Sequence, residues 1–182
     1  MVSKKQNPIG KGYVQVYTGN GKGKTTAALG LAFRAMGCGL KTYIGQFMKG
    51  RGYSELKAGK MVSEFITIEQ YGKNNFTYVK DTPDPEDVEM AKTGLLKAGT
   101  AMLSGKYNII ILDEINTAYF FHLITIDEML QLIKDKPDGV ELIFTGRYAP
   151  QELIDVADLV TEMVEVKHYY KKNVPSRDGI EQ

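Results

Sequence analysis

The chain has 182 residues, enough for one domain with a core of its own. Lys and Arg (23) nearly balance Asp and Glu (22), so no whole-molecule field favours a nucleic acid and any anion site must be local. A single cysteine excludes an intramolecular disulfide framework and fits a reducing cytoplasm, and no apolar run reaches the roughly 18 residues of a membrane span.

Residues 1–12 read as a mobile polar arm. The β-rich run Tyr13–Tyr17 ends at Thr18-Gly19, and Lys24–Gly37 follows as a helix. That helix is apolar around most of its girth (Ala27, Ala28, Leu29, Leu31, Ala32, Phe33, Ala35, Met36), which predicts burial on several sides; Cys38 ends the pattern and reads as a packing residue. Thr42–Met48 and Glu64–Tyr71 are further strands. In the acidic stretch that follows, Asp84 suits a helix cap, Pro85 the first helical position, and Glu86 and Asp87 the helix dipole, with apolar positions recurring to Met102. Asn108–Asp113 is too continuously apolar to have a wet face and is expected at the centre of a parallel sheet. Thr125 and Glu128 form a capping-box pair opening the helix Ile126–Lys134. Val140–Thr145 is another buried strand, Pro150–Ala157 a short helix and Leu159–Lys167 a last strand, leaving 168–182 as a tail. This alternation over 13–167 predicts a three-layer α/β domain, a mostly parallel sheet with helices on both faces and ligands at the carboxyl ends of its strands.

The segment Gly19-Asn20-Gly21-Lys22-Gly23-Lys24-Thr25-Thr26 lies between the first strand and its helix. Three glycines let successive backbone N–H groups turn toward one centre, and the helix start adds unpaired amides and partial positive charge. Lys24 can reach terminal phosphates and the Thr25 hydroxyl can ligate magnesium. The strict phosphate-loop pattern asks for glycine where Thr18 stands, so this is a variant, supported by the strand before it and the helix after it. A second half-site is Ile109-Ile110-Ile111-Leu112-Asp113-Glu114, a buried strand delivering two carboxylates to the same edge, where Glu114 and Asp113 are candidate magnesium ligands. One of the two could instead cap the next helix. Arg147, after the strand Val140–Thr145, either neutralises phosphate charge or pairs with a surface acid; Lys49 and Arg51, beside Gly50 and Gly52, carry the same two readings.

Phosphate binding alone names no reaction. Several further segments do: Arg34-Ala35-Met36-Gly37, Gln46-Phe47-Met48-Lys49-Gly50, Phe76-Thr77-Tyr78, Leu112-Asp113-Glu114, Thr145-Gly146-Arg147, Asp155–Glu162 and Val166-Lys167-His168. With the glycine loop, and in this order, they resemble the RecA-like, phosphate-loop type of corrinoid adenosyltransferase over about Gly12 to Glu181. The resemblance implies a P-loop fold, ATP and a corrinoid as substrates, Mg2+, a homodimer and a flavoprotein as electron source. It implies that reduced cobalt attacks the ribose 5′ carbon of ATP and expels triphosphate. It makes Arg34 a nucleotide contact, which by sequence alone could equally be a surface arginine. It also places Phe76 and Tyr78 beneath the cobalt, where their aromatic rings crowd out its lower axial ligand, although the family has tryptophan where Tyr78 stands. His168 and His122 read as structural rather than metal-ligating. The tail departs from the family at Asn173 (usually glycine) and Ser176 (usually alanine). Two other functions fit the loop: a phosphotransferase or ATPase using the same Lys24, Thr25 and Glu114, and a non-catalytic binder of ATP or adenosylcorrinoid.

Overall fold

A computed structural model describes residues 9–74 and 82–182. Strands and helices alternate as β1 (Val14–Thr18), α1 (Lys24–Met36), β2 (Thr42–Phe47), α2 (Ser54–Met61), β3 (Ile66–Tyr71), α3 (Pro85–Leu103), β4 (Ile109–Asp113), α4 (Ile115–Phe120), α5 (Ile126–Lys134), β5 (Glu141–Thr145), α6 (Gln151–Val156) and β6 (Leu159–Glu162). A 3-10 turn, Tyr169–Lys172, follows. The six strands form one sheet in the order β3-β2-β4-β5-β1-β6, and every pairing is parallel. A parallel sheet must be covered on both faces, because each crossover lays a helix on it.

β4 shows why its sequence is a continuous apolar run. Ile110 and Leu112 point into a core with Val16, Phe144, Met102, Met129 and Leu153, under α3, α5 and α6. Ile109 and Ile111 point the opposite way, into a second core with Ile44, Ile143 and the alanines of α1. Two-residue alternation therefore feeds two cores, and neither face is wet. The helix starts follow their sequence signals. Asp84 accepts from the Glu86 amide at 2.9 Å, and Thr125 and Glu128 exchange side-chain and backbone bonds as a capping box.

Three expectations are corrected. First, α1 buries one stripe only: Lys24, Ala28, Ala32 and Ala35, whose small side chains let the helix approach the sheet, while Phe33 is 69% exposed. Second, Cys38 is exposed, because it lies in the turn after α1 rather than on its buried stripe. Third, β6 stops at Glu162 and is exposed along its length; beyond it the chain turns onto the glycine loop instead of extending the strand to Lys167. The amino-terminal arm is also less independent than its composition suggests, since Ile9 packs against the second core. Among the described residues no helix is long and apolar enough to cross a membrane.

Candidate active site

The glycine loop sits at the carboxyl end of β1, and its glycines are required by the chain beside it. A Cβ on Gly19 would lie 2.5 Å from the Met163 carbonyl oxygen, and one on Gly21 would lie 2.7 Å from the same atom. Gly19 (φ 93°) and Gly23 (φ 125°) also occupy backbone conformations that only glycine adopts freely. The Gly21 amide donates to the Met163 carbonyl at 2.6 Å, so the segment after β6 braces the loop. Lys24 opens α1 and is nearly buried; its ammonium donates to the carbonyls of Gly19 (2.7 Å) and Gly21 (2.8 Å). Burial pulls its pKa below the ordinary lysine value despite the Glu114 and Asp113 charges nearby.

Asp113, the last residue of β4, is fully buried and collects donors from three neighbouring elements. One oxygen accepts from the Thr25 hydroxyl (2.8 Å) and the Thr145 hydroxyl (2.7 Å). The other accepts from Lys49 (2.8 Å) and, at longer range, Gln46 (3.3 Å). Burial pulls the Lys49 pKa down, but the Asp113 charge and hydrogen bond, with Glu114 and Glu55, outweigh it and hold the ammonium above the ordinary lysine range. This carboxylate ties α1, β2, β4 and β5 together at the ligand edge.

Glu114 behaves differently. Its backbone is left-handed (φ 62°), a conformation that costs a non-glycine residue about 1–3 kcal/mol and recurs at functional sites. It stands at the cap position of α4, yet its side chain makes no cap bond to the helix. The Thr117 hydroxyl donates to it at 2.6 Å, and the Glu114 amide donates to Thr145 at 3.0 Å. Its carboxylate lines the cleft.

That cleft, of about 460 Å³, is lined by Gly21–Thr26, Lys49, Glu114 and Arg147. Arg147 reaches back to the Asn20 carbonyl (3.4 Å), and its amide donates to Thr117 (3.2 Å). Thus Lys22, Lys24, Lys49 and Arg147 converge on the same space as Glu114 and Thr25. Arg34 and Arg51 do not line it: both are exposed, and Arg51 donates to the Asn74 carbonyl at 2.7 Å. Phe76 and Tyr78 lie outside the described residues. Sequence reasoning missed Ser54 and Glu55 at the start of α2, and it gave no cleft role to His168 or to residues 179–182, all of which line it. Glu55 accepts from Gln46 at 3.0 Å and lies 3.7 Å from Lys49. An acidic residue in a first helical turn is a signal for Glu55, but helix α2 carries too few apolar residues to stand out by periodicity. Asn173, where the family has glycine, takes φ 58°, a conformation glycine adopts freely and asparagine tolerates.

The donor set suits magnesium. The Thr25 hydroxyl spends its proton on Asp113 and keeps its lone pairs, and Glu114 adds a second hard oxygen in the same cleft. Asp113, with both oxygens already accepting from protein donors, supports Thr25.

Comparison with known proteins identifies the family. The family model described as ATP:corrinoid adenosyltransferase BtuR/CobO/CobP matches residues 10–182. A corrinoid adenosyltransferase of a Sinorhizobium species is 36% identical over 178 residues, covering 94% of this chain and 80% of that protein. Those of Escherichia coli (strain K12) and Salmonella typhimurium are each 33% identical, covering 94% of this chain and 86% of theirs. An all-parallel six-stranded sheet, a basic cleft at its carboxyl edge and a match across nearly the whole chain lead to one conclusion: this chain belongs to the corrinoid adenosyltransferase family, and it is an enzyme.

Proposed function

We propose that this enzyme transfers the 5′-deoxyadenosyl group of ATP to the reduced cobalt of a corrinoid and releases inorganic triphosphate. The observation that carries the reading is the convergence of four cations with Thr25 and Glu114 in one cleft above the glycine loop. The cobalt electron pair forms the cobalt–carbon bond at the ribose 5′ carbon. The carbon–oxygen bond breaks, and its electron pair leaves with the triphosphate. Reduced cobalt needs no base to deprotonate it, so the protein must align the ribose and stabilise charge on the leaving group.

Lys24, freed from the Gly19 and Gly21 carbonyls, contacts phosphate oxygens from below, while Lys22, Lys49 and Arg147 approach from the cleft walls. The loop amides, with those of α1's first turn, receive the remaining oxygens. Thr25 and Glu114 would hold Mg2+, which when bound supplies further positive charge against the phosphates. Arg34 and Arg51 remain proposed nucleotide contacts outside the cleft of the single chain. Phe76 and Tyr78 are proposed for the corrinoid side, where aromatic rings fit a flat macrocycle. A homodimer, a cytoplasmic setting and a flavoprotein electron donor rest on the family resemblance.

Anaerobic incubation with ATP, Mg2+, a corrinoid and a strong reductant tests the reaction. Triphosphate and a light-sensitive alkylcorrinoid should form in equal amounts, whereas ADP as the nucleotide product would refute it. Lys24→Ala should lower kcat by at least ~100-fold, the usual loss for one leaving-group contact.

A further inference from the structure

The 177–182 turn brings Gly179, Ile180, Glu181 and Gln182 into the lining of the cleft, a wall that nothing in the glycine-loop pattern requires. This wall carries an acid, Glu181, which should repel a polyanion. The structure compensates it thoroughly. Arg177 donates to Glu181 through Nε (3.1 Å), a terminal guanidinium nitrogen (3.1 Å) and its own backbone amide (3.0 Å). The Tyr169 hydroxyl donates to the same carboxylate. The Arg177 guanidinium also lies 5.1 Å from the centre of the Tyr169 ring, which fixes its plane. A carbonyl hub completes the turn: the amides of Ile180, Glu181 and Gln182 all donate to the Arg177 oxygen at 3.0–3.3 Å. The hydrogen bonds from Arg177 and Tyr169 hold the Glu181 pKa down to about 2, so protonation cannot remove its charge at working pH. Compensation must come from Arg177.

We propose that the 177–182 turn is a substrate-binding wall for the nucleotide's phosphates, and that Arg177 is the positioning residue that makes it compatible with a polyanion. Arg177 does so in two ways: it holds the turn against the cleft and cancels Glu181, the acid that the turn presents to it. Asp178, the turn's other acid, accepts from the Gln182 side chain and does not line the cleft. This rests on the reading of the cleft as an ATP site.

Four proteins test it: wild type, Arg177→Ala, Glu181→Gln and the double variant, each assayed for KM toward ATP and toward the corrinoid. Arg177→Ala bares a carboxylate beside the phosphates, so KM for ATP should rise about tenfold while KM for the corrinoid stays within about twofold. Glu181→Gln keeps an acceptor for Arg177 without the charge, and KM for ATP should stay level or fall. The double variant removes cation and anion together and should recover to within about threefold of wild type. A double variant as impaired as Arg177→Ala would overturn the charge role, since only the fold of the turn would then matter. Limited trypsin digestion gives a readout independent of turnover: Mg-ATP should slow cleavage after Lys171 and Lys172 in wild type and fail to do so in Arg177→Ala. Protection equal in both proteins would count against the proposal. Were wild type itself to show no ATP saturation and no protection, the ATP reading of the cleft would fail, and the wall with it.

Discussion

Asp113→Asn is the perturbation that separates a structural hub from a metal ligand. The substitution changes no volume. It leaves one oxygen to accept from the Thr25 and Thr145 hydroxyls but turns an amide NH2 toward Lys49 and Gln46, both of them donors. The Lys49–Asp113 pair has side chains 14% and 1% exposed, so the ammonium left behind has little water to replace its partner. Removing one member of such a pair costs roughly 3–5 kcal/mol. Glu55, at 3.7 Å, can take up part of the Lys49 charge, which favours the lower end of that range. With a urea m value of about 2 kcal/mol/M, the denaturation midpoint should fall by about 1.5 M. Adding Lys49→Met removes the stranded charge and should recover at least half of the loss. Two results would refute this reasoning: a loss under about 1 kcal/mol for Asp113→Asn, or a double variant that loses the sum of both singles. A magnesium ligand far from the protein's own cations would give the first of these, with the damage confined to turnover.

Three other outcomes are expected, two from the geometry of the glycine loop and one from the proposed corrinoid side. Gly21→Ala places a methyl 2.7 Å from the Met163 carbonyl oxygen and 2.9 Å from that of Val164, both backbone atoms, so calorimetry of Mg-ATP binding should show affinity reduced by more than tenfold. Lys24 has its pKa lowered by burial, and phosphate favours its charged form; ATP affinity should therefore be retained at neutral pH and fall as pH rises through a value below the ordinary ~10.4. In Lys24→Arg, whose cation does not titrate there, that alkaline limb should vanish. Phe76→Ala should impair corrinoid use by about tenfold or more in kcat/KM while leaving the ATP dissociation constant within about twofold, as steady-state kinetics beside ATP titration would show.

Much of the fold was legible because burial on both faces leaves an unmistakable string. Ile109–Asp113 could be placed centrally from its lack of polar positions, and it lies between β2 and β5. Thr125 with Glu128, and Asp84 with Pro85, announced their helix starts through local hydrogen bonds that need no tertiary partner. Where periodicity was weak, the reading failed. α2 has a single buried position, Gly59, and α4 is six residues long, too short to show a helical period. Burial of α1 was overread because an apolar girth says nothing about how much of it the sheet can cover. The site divides along the same line. Lys24, Thr25 and Glu114 belong to contiguous motifs and could be named from sequence. Glu55, His168 and the 177–182 turn reach the cleft from distant parts of the chain, and only the fold brings them there.

The polar cluster at the sheet edge is costly to build, and that cost argues for its use. Gln46, Asp113 and Thr145 are fully buried at or near the ends of three adjacent strands, positions that apolar residues would fill with less risk to stability. Each also has a partner outside its own strand: Gln46 donates to Glu55, Asp113 accepts from Thr25 and Thr145, and Thr145 accepts from the Glu114 amide. Such a chain fixes the direction of the two oxygen donors facing the cleft, one by taking the Thr25 proton and the other by holding Glu114 at its strained turn. Leaving-group stabilisation depends on charges that are already oriented before the bond breaks, since reorientation would cost free energy at the transition state. The proposed reaction has no proton to abstract and so has little other use for these buried hydrogen bonds; if ATP is the substrate, they preorganise the site for its triphosphate.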